Sequence, residues 1–184
     1  MKRIFAAVKI VPQPALTRFI DELQQHLADS SIRWVDPKNL HLTLKFFGET
    51  PEEKITAIEE ALEKIHLAPF DFGLGNLKIF GSRYHPRVLF VEALKAESFK
   101  LLSDLIHDQI KLLGYETDRQ NFVPHLTLGR IKKISDLKYF QKKISEYSEI
   151  VLQTQHVKEF LLYESILPFS GPEYKIMKIF PLGI

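Results

Sequence analysis

The chain repeats itself, and that repeat limits the folds open to it more than any other feature. Displaced by 84 positions, His41-Leu42-Thr43-Leu44 falls on His125-Leu126-Thr127-Leu128, Arg3-Ile4-Phe5 falls on Arg87-Val88-Leu89, and Leu77 falls on Leu161. One order of elements is therefore expected twice, over approximately 1–80 and 87–164, with Gly81 to Pro86 as the linker;. At 184 residues the chain can bury about two thirds of its unfolded surface, so a single domain over 1–184, two-lobed in keeping with the repeat, needs no disulfide or metal to hold its core;.

Apolar periodicity supplies the elements. In the first half Ile4 to Val8 reads as a strand and Ala15 to Ala28 as a helix, with Pro14 in its first turn and Phe19, Ile20, Leu23 and Leu27 on one side;. Asn39 to Phe47 reads as a strand that Gly48 breaks. Thr50, Pro51 and Glu53 have the pattern of a capping box ahead of a helix carrying Ile55, Ile58 and Leu62;. Phe72 to Phe80 reads as a strand interrupted by Gly73 and Gly75. The second half offers a strand over Arg87 to Val91 and a helix over Ala96 to Leu113. Its motif strand runs from Val123 to Gly129, and a helix follows over Ser135 to Tyr147 with Ser135 as cap. Strands over His156 to Glu164 and Tyr174 to Phe180 close the chain;. Strands alternating with helices at this rhythm indicate layered α and β structure.

Strand alternation puts His41, Thr43 and Lys45 on one face and Leu42, Leu44 and Phe46 on the other;. His125 and Thr127 repeat that polar face over Leu126 and Leu128. A pseudo-twofold axis would present two His-x-Thr units across one groove, an arrangement suited to in-line phosphoryl transfer. One neutral imidazole takes a proton from the attacking group and the other, as imidazolium, protonates the leaving oxygen. The hydroxyls of Thr43 and Thr127 can donate to non-bridging phosphate oxygens. Lys45 shares that face near the strand end. Arg130 falls on the opposite face by strict alternation, although Gly129 and the strand end can release it to turn toward a phosphate;.

Composition narrows the chemistry further. The absence of cysteine removes thiol catalysis and thiolate-bound metals, and neither motif histidine has a carboxylate partner at a metal-binding spacing;. No metal and no cofactor are expected. No apolar run is long enough for a membrane span or a signal peptide, so the expected location is cytoplasmic;. The net charge of +2 is too mild to announce a nucleic-acid binder;. Six basic residues between Arg130 and Lys143, against Asp136 alone, make either a solvated face or a shoulder for phosphates;.

The segments Trp34-Val35 with Asn39 to Gly48, Phe122 to Arg130, Pro86 to Phe90, Tyr163-Glu164-Ser165, Gly171-Pro172 with Tyr174, and Phe180-Pro181-Leu182 carry a resemblance. The chain resembles the 2H phosphoesterases, and among them the RNA 2',3'-cyclic phosphodiesterases first described as 2'-5' RNA ligases. The resemblance implies an α+β bilobal fold of antiparallel sheets flanked by helices around a groove. It implies a substrate that is an RNA end or oligonucleotide with a 2',3'-cyclic phosphate, with no obligate protein partner. His125 would activate water as proton acceptor, His41 would protonate the ribose 3'-oxygen as proton donor, and a 2'-phosphate would remain. Thr43 and Thr127 would bind the phosphate, with Arg130 in support. Where the family's central strand often ends in tryptophan this chain has Phe90, which is expected to change packing only. Phe47 and Tyr84 are candidates to stack the terminal base;. The alternatives are 2'-5' ligation without ATP, another cyclic phosphate or 2'-5'-linked substrate, and a non-catalytic RNA end-binding module.

Overall fold

The computed structural model describes residues 1–115, 122–166, 168 and 171–183. In chain order its elements are β1 (Lys2–Lys9), α1 (Pro14–His26), β2 (Ser31–Trp34), β3 (His41–Thr50), α2 (Glu52–Leu62), β4 (Phe70–Ser82), β5 (His85–Leu94), α3 (Glu97–Lys111), β6 (His125–Lys133), α4 (Leu137–Glu146), β7 (Val151–Val157), β8 (Glu159–Ile166) and β9 (Glu173–Pro181). They build two antiparallel sheets with strand orders β3-β1-β8-β9 and β2-β6-β5-β4-β7. The fold is α+β and bilobal.

Each sheet draws strands from both ends of the sequence. In the first, β1 lies between β3 and the late strand β8; in the second, β5 lies between β6 and the early strand β4. The helices follow suit, α3 packing on β3 and beside α2, α1 on β7 and α4 on β4. Ile4, Ala6 and Val8 of β1 point into a core that also buries Leu23, Leu77, Leu89, Phe99 and Phe160. On the other face of the first sheet, Phe5, Ala7, Leu161 and Tyr163 form a smaller cluster against Tyr174.

Several expectations fail locally, each for a physical reason. Gly81 to Pro86 is not a linker but the end of a hairpin, since Ser82 pairs with His85 and β4 runs antiparallel to β5. The anticipated strand over His156 to Glu164 is two strands. The chain leaves the second sheet at Val157 and enters the first at Glu159. Gly73 does not interrupt β4, whereas at Gly75 both of its ladders shift register, beside Asn76 at a φ of 50°; a Cβ on Gly75 would lie 2.0 Å from the Ile150 carbonyl oxygen, so a side chain has no room there. Thr50 ends β3 and its hydroxyl bonds the Gly48 carbonyl, leaving Pro51 to precede α2 without a side-chain cap. Asp136, rather than Ser135, caps α4 by accepting from the Tyr139 amide at 2.9 Å. Ser135 donates instead to the Asp29 carbonyl. The short β2, edging the second sheet beside β6, was not anticipated.

A polar strap ties the lobes together behind these sheets. Gln153 of β7 is buried. Its side chain accepts from the Gln13 amide at 2.8 Å and donates to the Val11 carbonyl at 3.3 Å. Gln155 donates to the Lys9 carbonyl at 2.9 Å.

Candidate active site

The motif strands β3 and β6 face each other across a groove, and both depart from strict alternation at the same point. In β3, Thr43 pairs with Ala7 and Lys45 with Ala6, leaving Leu44 as an extra, unpaired residue. In β6, Thr127 pairs with Phe90 and Gly129 with Leu89, leaving Leu128 extra. Each is a β-bulge, which resets the side-chain faces beyond it. The carbonyls displaced from the ladders find other donors, Ser103 Oγ for Leu44 and the Val35 amide for Leu128.

The resets decide which side chains reach the groove. Lys45 follows Ala6 and is 5% exposed, so it leaves the His41 face that alternation predicted and instead lines, with Thr43 and His125, the space beside α3. Phe46 pairs with Phe5 and emerges 54% exposed into the groove, although alternation had assigned it to the core. Arg130 pairs with Val88 and likewise reaches the groove, with the bulge at Leu128 supplying the turn it needed. Gly129 replaces the buried lysine of the first motif because β2 lies close: a Cβ there would be 2.7 Å from Ile32 Cγ2.

His41, Thr43, His125, Thr127 and Arg130 thus line one cavity of about 510 Å3, completed by Trp34, Asn39, Phe46 and Tyr174 among others. The two imidazoles are held alike. His41 Nδ1 lies 2.6 Å from the Asn39 carbonyl oxygen and His125 Nδ1 lies 2.7 Å from that of Val123. A carbonyl only accepts, so Nδ1 carries the proton in both rings and Nε2 is left for a ligand. Phe5 and Tyr174 pack on His41 with centroids 5.0 and 5.1 Å away. Phe80 and Phe90 pack on His125 at 4.7 and 5.2 Å.

These surroundings set the charge states. Desolvation by the rings pushes both imidazoles below their ordinary range, against the opposing pull of the Asn39 and Val123 carbonyls;. Arg130 lowers both further, and His125 lowers His41. A proton on one ring therefore disfavours a proton on the other, which prepares the pair for opposite states.

Phe90, expected to affect packing only, is a wall of the His125 ring. Phe47 lies outside the groove lining and packs edge-on against Tyr115. Tyr84 sits in the β4–β5 turn beneath Arg83. The groove aromatics are instead Trp34, Phe46 and Tyr174. One signal for Phe46 was present in the sequence: it stands at the position in the first motif that Arg130 holds in the second. Among the described residues, no group of three histidine, aspartate or glutamate side chains could hold a metal ion, and no helix is long and apolar enough to cross a membrane.

Comparison with known proteins adds the relationships. Residues 8–90 match the model of the family described as LigT like Phosphoesterase. An RNA 2',3'-cyclic phosphodiesterase of Archaeoglobus fulgidus is 30% identical, the match covering 97% of this chain and 99% of that protein. One from Methanothermobacter thermautotrophicus is also 30% identical, over 98% of each. Among solved structures, TT0787 of Thermus thermophilus superposes with a TM-score of 0.79 at 27% identity, covering 98% of this chain and 97% of that one. Escherichia coli LigT complexed with 3'-AMP superposes with a TM-score of 0.75 at 24% identity over 98% of each chain, a likeness of fold.

Proposed function

We infer that this chain, which belongs to the LigT-like phosphoesterases of the 2H superfamily, hydrolyses RNA terminal 2',3'-cyclic phosphates and leaves a 2'-phosphate. The observation that carries the reading is the pair of imidazoles pinned alike through Nδ1, each with Nε2 left for a ligand in one groove. In this reading neutral His125 takes a proton from water as its oxygen bonds phosphorus. The bond from phosphorus to the ribose 3'-oxygen breaks in line, and protonated His41 delivers its proton to that oxygen. Thr43, Thr127 and Arg130 hold the non-bridging oxygens, on which charge accumulates. Tyr174 packs on His41 and Phe46 shares its strand, an apolar setting for the nucleoside that favours His41 as the partner of the ribose oxygen;.

The cyclic phosphate itself resolves a tension in this site. Burial and the Arg130 guanidinium work against protonated His41 in the free protein, whereas a bound anion restores it;. The proposed reaction needs neither metal nor cofactor, and its partner is an RNA end.

The test is incubation with a short RNA ending in a 2',3'-cyclic phosphate, with and without EDTA, beside His41→Ala and His125→Ala. EDTA-resistant release of a 2'-phosphate, slowed roughly 10²–10⁴-fold in each variant, is the expected result. A 3'-phosphate product would reverse the assignment of the leaving oxygen. Full activity in either variant would remove the paired-histidine mechanism.

A further inference from the structure

The groove does not end at the histidine pair. Beyond Phe46 lies a second cavity of about 900 Å3, within the range that encloses a drug-sized ligand;. Thr43, Phe46 and His125 line both cavities, so the two are continuous. Phe46, Phe80 and Phe122 give the second one aromatic walls. Along its other side Lys100, Asp104 and Asp108 project from α3 at intervals of four residues, an exposed stripe on one helix face;. The chemistry proposed above uses none of the three.

The lining discriminates among possible occupants. Lys45 and Lys100 balance the two carboxylates, so the lining offers the RNA backbone no net positive charge to follow;. The carboxylates accept well from exocyclic amines, as aspartate does from cytosine, and aromatic rings stack on any base. A base bearing an amine satisfies both surfaces; uracil has no such amine. Lys100, at the start of the stripe, can meet the phosphate that joins this base to the next nucleotide.

We propose that this cavity seats the base of the nucleotide preceding the cyclic phosphate end, and that Asp104 and Asp108 favour bases carrying an exocyclic amine. The proposal rests on the cyclic phosphodiesterase reading of the groove. It makes the protein a reader of two nucleotides, distinguishing an RNA end from a free nucleoside cyclic phosphate.

The experiment compares kcat/KM for adenosine 2',3'-cyclic phosphate with that for dinucleotides ending in the same group and beginning with adenosine, cytidine or uridine. Dinucleotides beginning with adenosine or cytidine are expected to react roughly tenfold better than the mononucleotide, with a smaller gain for uridine. Asp104→Ala/Asp108→Ala should erase the difference between amine-bearing bases and uracil while leaving the mononucleotide rate unchanged, which also reports that the variant is folded. Equal values for mononucleotide and dinucleotides would overturn the proposal, as would a double variant that still discriminates or one that loses the mononucleotide rate in parallel. Hydrolysis of none of the four substrates would instead remove the cyclic phosphodiesterase reading, and this proposal with it.

Discussion

Phe46 and Arg130 each stand five residues beyond a motif histidine, yet one is a ring and the other a guanidinium. The two motif strands are alike in bulge, histidine and threonine, so these positions are where the groove loses its symmetry and the substrate gains a direction. Arg130→Ala is expected to lower kcat/KM roughly 10²–10³-fold, with Arg130→Lys recovering only part because lysine lacks the fork. Steady-state kinetics on a cyclic phosphate substrate will show whether it does. Both imidazoles lie below their ordinary range in the free protein, so both limbs of a bell-shaped kcat/KM profile should lie acid of about pH 6.5;. The bound anion favours imidazolium, so the kcat profile should move to higher pH; identical profiles for the two parameters would contradict that. Gly129→Ala drives a methyl toward Ile32 and is expected to cost about 1–3 kcal/mol in denaturant titrations, with Ile32→Ala relieving much of the loss;. The histidines and threonines were legible from alternation because they precede the bulges. Lys45 and Phe46 were misassigned because they follow one, and Leu44 carries no mark that distinguishes an extra residue from a paired one.

At the scale of elements, most strands and helices could be read from apolar periodicity, while their partners could not. Nothing local in Phe72 to Phe80 says that β4 joins β5 rather than β1, because each of those neighbours offers an apolar face of the same kind. The break between β7 and β8 was equally hidden, the chain changing sheets across the single residue Lys158 in a run that otherwise reads as strand. The strap from Gln153 to Val11 and Gln13 joins the edge of one sheet to the chain leaving the other. Removing its side chain strands a backbone donor and an acceptor, so Gln153→Ala should lose about 1–3 kcal/mol of unfolding free energy. Gln155→Ala, at a more exposed bond, should lose less. Guanidinium titrations of the two variants provide the comparison.

For the molecule as a whole, the shared strands make the lobes inseparable. A chain cut in the β4–β5 turn gives a first fragment whose sheet lacks β8 and β9, and a second whose sheet lacks β4 and β2. Neither fragment alone should show a cooperative thermal transition, whereas co-expressed fragments should associate and regain activity. Acid should weaken the intact protein by a related economy of burial. Histidines lowered in the fold bind more protons when unfolded, so their contribution is present above about pH 6.5 and is lost as pH falls through the folded values;. The melting temperature should decline over that window, and less steeply in His41→Asn/His125→Asn. The place of β1 between β3 and β8 also has a consequence for synthesis. Made at roughly 5–20 residues per second, β1 keeps one edge open for about eight to thirty seconds before Glu159 leaves the ribosome;. During that interval the nascent chain offers an apolar strand, Ile4 to Val8, to any passing β edge, and that is the window in which a chaperone would decide its yield;.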